Sequence, residues 1–151
     1  MNFEYTEEQI ALQDTLRRFF SRDYGFEHRR TVAASADGFD RSAWKTYAEL
    51  GLLALPFPSD QGGLDGSAVD VQLVMELLGR GLALEPYLAT VVLCGSLIRD
   101  SATAAQREAV LPAIAGGEAL LALAHYEPGQ RYDSGRIATT ATRAGTGWRL
   151  D

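Results

Sequence analysis

The chain has 151 residues, a net charge of −6, and 46% hydrophobic against 23% charged side chains. That is room for one ordinary globular domain, or one domain and part of another, and the acidic balance argues against non-specific nucleic-acid binding, which needs a basic face. A single cysteine, Cys94, excludes an internal disulfide and a thiolate metal cluster, and no apolar run approaches the roughly 20 residues of a membrane span.

Thr6-Glu7-Glu8-Gln9 is a helix start, with a hydroxyl N-cap, acidic residues in the first turn and Gln at the third position. Ile10, Leu12, Leu16, Phe19 and Phe20 then recur at helical spacing through about Tyr24. A short helix is predicted within 27–36, with His28 at the surface. Asp40 opens the next clear helix, with Trp44, Tyr47, Ala48 and Leu50 facing inward and Gly51 ending it. Residues 52–58 are apolar and closed by Pro56 and Pro58. Gly62, Gly63 and Gly66 follow in a turn-rich loop that lacks the Gly-Lys-Ser/Thr ending of a phosphate cradle, so they read as turn glycines.

Ser67 caps a helix carrying Val71, Val74, Met75, Leu77 and Leu78, stopped near Gly79–Gly81. Pro86 sits in the first turn of a helix over 86–99 that is apolar nearly all round, which predicts a central, buried position; Cys94 is a small buried hydrophobe on it. Thr103 caps the last helix, which tolerates Pro112 only with a kink or a broken final turn and ends at Gly116-Gly117. Beyond Gly117 the pattern changes, and 119–126, 137–143 and 148–151 read as strands separated by Gly-containing turns. The expected fold is mainly α: an all-helical domain over 1–117, then the beginning of a β-domain over 118–151. The last strand has only begun at Asp151, so a longer protein is expected.

In order and spacing, several motifs together resemble the N-terminal portion of an acyl-CoA dehydrogenase. They are Phe3-Glu4-Tyr5-Thr6-Glu7-Glu8-Gln9, Trp44 with Leu50-Gly51-Leu52-Leu53, and Pro58-Ser59-Asp60-Gln61-Gly62-Gly63-Leu64-Asp65-Gly66. Met75-Glu76-Leu77-Leu78-Gly79-Arg80 and Gln106 with Leu111-Pro112-Ala113-Ile114-Ala115-Gly116-Gly117-Glu118 complete the set. The resemblance implies a three-domain subunit with helical, middle β-barrel and C-terminal four-helix domains, and FAD between the last two and a neighbouring subunit. It implies introduction of an α,β double bond into an acyl-CoA thioester: a glutamate base removes the α proton and the flavin accepts the β hydride. That base belongs to the C-terminal domain, so no catalytic residue is expected within 1–151, and this stretch alone is expected to be inactive and to retain no FAD. Expected partners of the full-length protein are an acyl-CoA, an electron-transfer flavoprotein-like acceptor, and further subunits in a homo- or hetero-oligomer. An N-terminus carrying Glu4, Glu7 and Glu8 without an apolar core is no secretory signal, and the cytoplasm is the expected location.

The family's flavin segment runs roughly Tyr-x-x-Thr-Glu-Pro-x-x-Gly-Ser-Asp, and positions 123–133 match it at Glu127, Pro128 and Asp133. By that resemblance Ala124, His125 and Tyr126 offer backbone groups to the flavin. Tyr126 replaces the flavin-bonding Thr, and Arg131-Tyr132 replace the Gly-Ser that approaches pyrophosphate and thioester ligand. Arg131 is then either a charge-assisted contact to phosphate or carboxylate, or a solvated loop arginine. His125 carries an imidazole, a side chain able to act as acid or base, yet packing fits its place better than catalysis. The 86–99 helix resembles the wall of the acyl cavity, placing Glu85, Pro86, Ala89, Thr90 and Leu93 toward the acyl chain, with ordinary core packing as the other reading. Leu84-Glu85-Pro86-Tyr87 and His125-Tyr126-Glu127-Pro128 look similar to bacterial heteromeric subunits that handle dicarboxylyl or sterol-side-chain acyl-CoAs. The alternatives are a non-catalytic partner subunit, or a flavin monooxygenase or oxidase on the same fold.

Overall fold

The computed structural model describes residues 4–133 and 135–151, so Phe3 of the opening motif lies outside it. Helix α1 (Glu7–Asp23) begins in a full capping box, in which Thr6 accepts from the Gln9 amide and the Gln9 side chain accepts from Thr6 N–H. The device recurs at α4 (Ala68–Arg80) with Ser67 and Asp70. Each such cap contributes about 1 kcal/mol and sets a helix start from local chemistry alone. The Gln9 amide also donates to Asp70 at 2.9 Å, joining the two helix starts.

Helix α2 (Phe26–Ala33) is shorter than the predicted 27–36 window. The Ser35 hydroxyl donates to the Val32 carbonyl at 2.7 Å, which offers the backbone a local alternative to another helical turn. Helix α3 (Arg41–Glu49) starts at Asp40, whose carboxylate accepts from Ser42 N. It closes in a Schellman motif: Gly51, at φ +75°, donates to Ala48 O, and Leu52 donates to Tyr47 O.

Two inward assignments fail. Ile10 is 47% exposed, because at 3.6 residues per turn it lies about 120° around α1 from the buried Leu16. Leu50, at 38%, is the residue after α3 and falls outside the face that carries Trp44 and Tyr47 into the core. On α4 the buried residues are Leu73, Val74, Leu77 and Leu78, so Leu73 joins the predicted face.

The predicted 86–99 helix is present but irregular: Leu88–Gly95 is π-helical and continues as α5 (Ser96–Ser101). The all-round burial expected of it is not observed. Tyr87, Thr90, Val91 and Cys94 are buried, whereas Leu88, Leu93 and Leu97 are 50%, 42% and 48% exposed. Bonding from i to i+5 aligns residues five apart, which brings Leu88 and Leu93 onto one outward line. Burial raises the Cys94 thiol pKa, as befits a small buried hydrophobe.

Helix α6 (Ala104–Ala115) carries a capping box of Thr103 and Gln106, and Pro112 sits in its last turn. A second Schellman motif ends it, with Gly117 (φ +76°) donating to Ile114 O and Glu118 to Ala113 O. One core holds Leu16, Trp44, Tyr47, Phe57, Val91 and Ile114 among others. Polar tips on its rings find backbone partners: Trp44 donates to Gly117 O and Tyr87 to Leu52 O, each at 3.1 Å. A Cβ at Gly63 would collide with the Phe57 carbonyl, so this glycine serves close packing of a turn.

The β prediction is corrected for 119–126, and for 137–140, which precede the first strand. The 119–126 stretch is extended without a strand partner, and the only strands among the described residues are β1 (Ala141–Ala144) and β2 (Gly147–Leu150). They form an antiparallel hairpin in which Ala141 faces Leu150, fully exposed along both strands. The apolar run at 119–126 reads as a strand, but it is rich in Ala and Leu rather than β-branched residues, and among the described residues no second segment meets it to complete a ladder. No helix among the described residues is long and apolar enough to cross a membrane.

Candidate functional site

Residues 118–133 leave α6 and pass beside the π-helical segment. Thr90 is fully buried, and its hydroxyl donates to Leu121 O and accepts from Leu121 N, both at 3.1 Å. One side chain therefore acts as a single rung of a sheet, which explains why 119–121 runs extended. Ala119 and Leu121 pack onto the core while Leu120 points outward, so the period of two holds through Leu121 and is lost at the exposed Leu123.

Past Leu121 the backbone becomes unpartnered. Among the described residues, the N–H groups of Ala124, His125 and Tyr126 donate to no protein acceptor. The His125 and Tyr126 rings lie 4.0 Å apart at 39°, and His125 Nδ1 is 3.2 Å from Leu123 O. The chain then turns at Glu127-Pro128-Gly129. Gln130 is only 5% exposed; its Oε1 accepts from Glu127 N at 3.0 Å and its own N–H returns to Glu127 O at 3.1 Å. The Glu127 carboxylate accepts from the Thr139 and Ala138 amides, and these hydrogen bonds hold its pKa below the ordinary carboxylate value. This fixes the loop's far end, a part that Gln130 and Glu127 share and that sequence reading assigned to neither. Their spacing of three across a Pro-Gly turn is the signal that was available.

Arg131 takes φ +49°, the left-handed conformation, two residues after Gly129 at +84°. The family's segment has Gly at the position of Arg131; here the backbone keeps a glycine-type conformation at a cost of about 1 kcal/mol for a residue with a Cβ. His125, Tyr126, Gln130, Arg131 and Tyr132 border one cavity of about 210 Å³. Four of the five cofactor candidates thus meet at one place, and Ala124 precedes them in the chain without lining it. Tyr126 and Tyr132 are 82% and 102% exposed, so both rings are open to a neighbour.

The acyl-chain candidates do not converge in the same way. Glu85 is 7% exposed and turned into the protein: Oε1 accepts from Tyr24 OH and Asp40 N, and Oε2 from Tyr47 OH, all at 3.1 Å. Tyr24 OH in turn accepts from Leu84 N at 3.1 Å. Burial, then the adjacent carboxylate, raises both phenols, Tyr24 to about 12 and Tyr47 further. Pro86 and Ala89 are half-buried, Thr90 is occupied with Leu121, and Leu93 is exposed. Tyr132 groups with the loop cavity and Glu85 with the two tyrosines, so the structure keeps those two residues in separate clusters. Tyr24 and Tyr47 were read only as helix-face residues; nothing in their spacing pointed to a shared carboxylate 61 and 38 residues away.

Residues 6–118 match the profile of the acyl-CoA dehydrogenase N-terminal domain. The chain is similar to a probable acyl-CoA dehydrogenase, YngJ, of Bacillus subtilis: 31% identical over 147 residues, covering 96% of this chain and 38% of that protein. Among solved structures it is similar to the ChsE4-ChsE5 complex from Mycobacterium tuberculosis, with a TM-score of 0.82, 29% identity, and coverage of 99% of this chain and 38% of that one. An acyl-CoA dehydrogenase from Bacillus anthracis complexed with FAD gives a TM-score of 0.84 at 25% identity, covering 98% of this chain and 26% of that one. The chain spans less than two-fifths of the length of these relatives. With the helical order, the loop and the profile match in agreement, the chain belongs to the acyl-CoA dehydrogenase family.

Proposed function

We propose that the protein containing this chain oxidises an acyl-CoA thioester with FAD, introducing an α,β double bond. In this reading 1–117 forms the helical domain and 118–151 opens the middle β-domain. The carrying observation is the 124–131 loop: three consecutive free backbone N–H groups, followed by a left-handed Arg131 beside a small cavity. Free amides and a guanidinium suit the polar edge of a flavin and its pyrophosphate. When bound, FAD supplies the hydride acceptor. The chain's own contribution is to hold and orient: Ala124, His125 and Tyr126 through backbone groups, Arg131 through charge, and Tyr132 at the junction with the thioester ligand. Glu85, Pro86, Ala89, Thr90 and Leu93 position the wall against the acyl chain, Glu85 and Thr90 from behind by fixing the helix and the extended segment at Leu121.

The protein acts in the cytoplasm in an oligomer and passes electrons to an electron-transfer flavoprotein-like acceptor. A heteromer is favoured by the likeness to the ChsE4-ChsE5 complex. The test is to mix the full-length protein with an acyl-CoA without oxygen. Bleaching of the flavin absorbance and formation of the enoyl-CoA support the reading, and a flavin-free protein that is active only through a second chain supports a non-catalytic partner subunit instead. Arg131→Ala in that protein is expected to weaken FAD or acidic acyl-CoA binding by roughly 1.5–3 kcal/mol, the range for a hydrogen bond to a charged group; unchanged affinity for both leaves Arg131 a solvated loop residue.

A further inference from the structure

A second cavity, of about 440 Å³, opens where α1, α2 and the end of α4 meet. Its size falls within the roughly 300–1,000 Å³ of small-molecule sites. Tyr24 and Leu77 are its buried apolar surfaces at 4% and 3% exposure, while Phe26 and Leu82 at the same opening remain 62% and 53% exposed. Arg17, Arg29 and Arg80 also line it, and no carboxylate does. In a chain of net charge −6 this is a local reversal of sign.

The three guanidiniums are not equivalent. Arg17 lies 3.3 Å from Asp14 and Arg80 2.9 Å from Glu76, each within its own helix. Arg29 has no carboxylate partner among the described residues; its Nε donates to Leu82 O at 2.7 Å, and its two terminal nitrogens donate to no protein acceptor among those residues. Leu82 itself is held at φ +52°, a left-handed conformation that a leucine avoids unless its surroundings impose it. The Arg29 bond therefore fixes at once the guanidinium's orientation and an apolar side chain at the opening.

We propose that this cavity binds a monoanionic amphiphile, an aliphatic carboxylate whose tail lies against Leu77, Phe20 and Leu82 and whose head meets Arg29. One head group is specified because one of the three cations lacks a carboxylate. The apolar lining specifies a hydrocarbon tail, since a small inorganic anion would leave it wet. The site is separate from the loop at 124–131 and does not depend on the reading of that loop.

The test places a reporter at the cavity in the full-length protein through Ser21→Cys, an exposed lining position, and follows alkylation of the new thiol by peptide mass spectrometry. Cys94 is buried and reads as the slow internal reference. Decanoate is expected to slow alkylation at position 21 saturably, with decanol needing about tenfold higher concentration, the discrimination of one hydrogen bond to a charged group. Adding Arg29→Gln is expected to remove that preference, and Arg29→Lys to retain part of it. Because the signal comes from one peptide, acyl binding elsewhere in the protein leaves it unchanged. Equal alkylation with and without decanoate overturns the proposal, as does an Arg29→Gln protein of unaltered thermal melting that still prefers decanoate to decanol.

Discussion

The helical part of the chain and the stretch after Gly117 are built on different principles. Through Gly117, three capping boxes, two Schellman closures and one contiguous core define the structure, and each cap is written within four residues of sequence. Between Gly117 and Thr140 the backbone leans chiefly on single side chains, and only the β1–β2 hairpin forms a ladder: Thr90 holds Leu121, Gln130 holds Glu127, and Glu127 reaches Ala138 and Thr139. Helices satisfy their own backbone, whereas extended chain needs a neighbour. The contrast teaches that the candidate loop is the part whose backbone the chain itself leaves open.

The sharpest way to break this comparison is through the helical side. Glu85→Ala removes the acceptor of Tyr24 OH, Tyr47 OH and Asp40 N together. A loss of roughly 3–5 kcal/mol is expected, because buried donors of a charge-assisted network are left unpaired. Denaturant unfolding checks it, and a loss below 1 kcal/mol would show that the three donors find water instead. The same cluster titrates at high pH: both phenols are raised in the fold, so their contribution is complete below the ordinary phenol value and declines as pH rises through the folded value, about 12 for Tyr24. Absorbance titration of the six tyrosines should find three ionising late, Tyr24, Tyr47 and the buried Tyr87, and ordinary ionisation of Tyr24 and Tyr47 would contradict the network.

Thr90→Val tests the hinge between the two regions. It keeps the shape and removes both bonds to Leu121, so about 1–2 kcal/mol is expected, concentrated in amide exchange of 119–123 and small in α1. Even loss across the whole chain would mean that the segment is part of the core. The smallest effect belongs to Glu127. Its carboxyl is lowered in the fold by bonds from Thr139 and Ala138, so the contact holds at neutral pH and is lost as pH falls below the ordinary carboxylate range through the lowered value. The amide shifts of Ala138 and Thr139 should move together in that acidic range, and a midpoint at the unperturbed value would remove the tether.

Legibility followed the same division. Thr6, Asp40, Ser67 and Thr103 announced four helix starts because an N-cap is a local bond, and Gly51 and Gly117 announced two ends for the same reason. The face of Leu88, Leu93 and Leu97 was not legible, since nothing in an apolar run states that the helix will widen to i+5 bonding. The 119–126 stretch carried an apolar run, but a strand is a relation between segments and the partner is not in the pattern. At the candidate site, the family motif located 124–132, while the left-handed backbone at Arg131 and the buried Gln130 needed coordinates.

The central claim is that the free backbone at 124–126 is a cofactor contact. Hydrogen exchange of those three amides in the full-length protein, with FAD bound and after its removal, tests it most directly. Protection that appears with FAD while α1 and α4 stay unchanged is the expected result; exchange at 124–126 that is equally fast with FAD bound would contradict it.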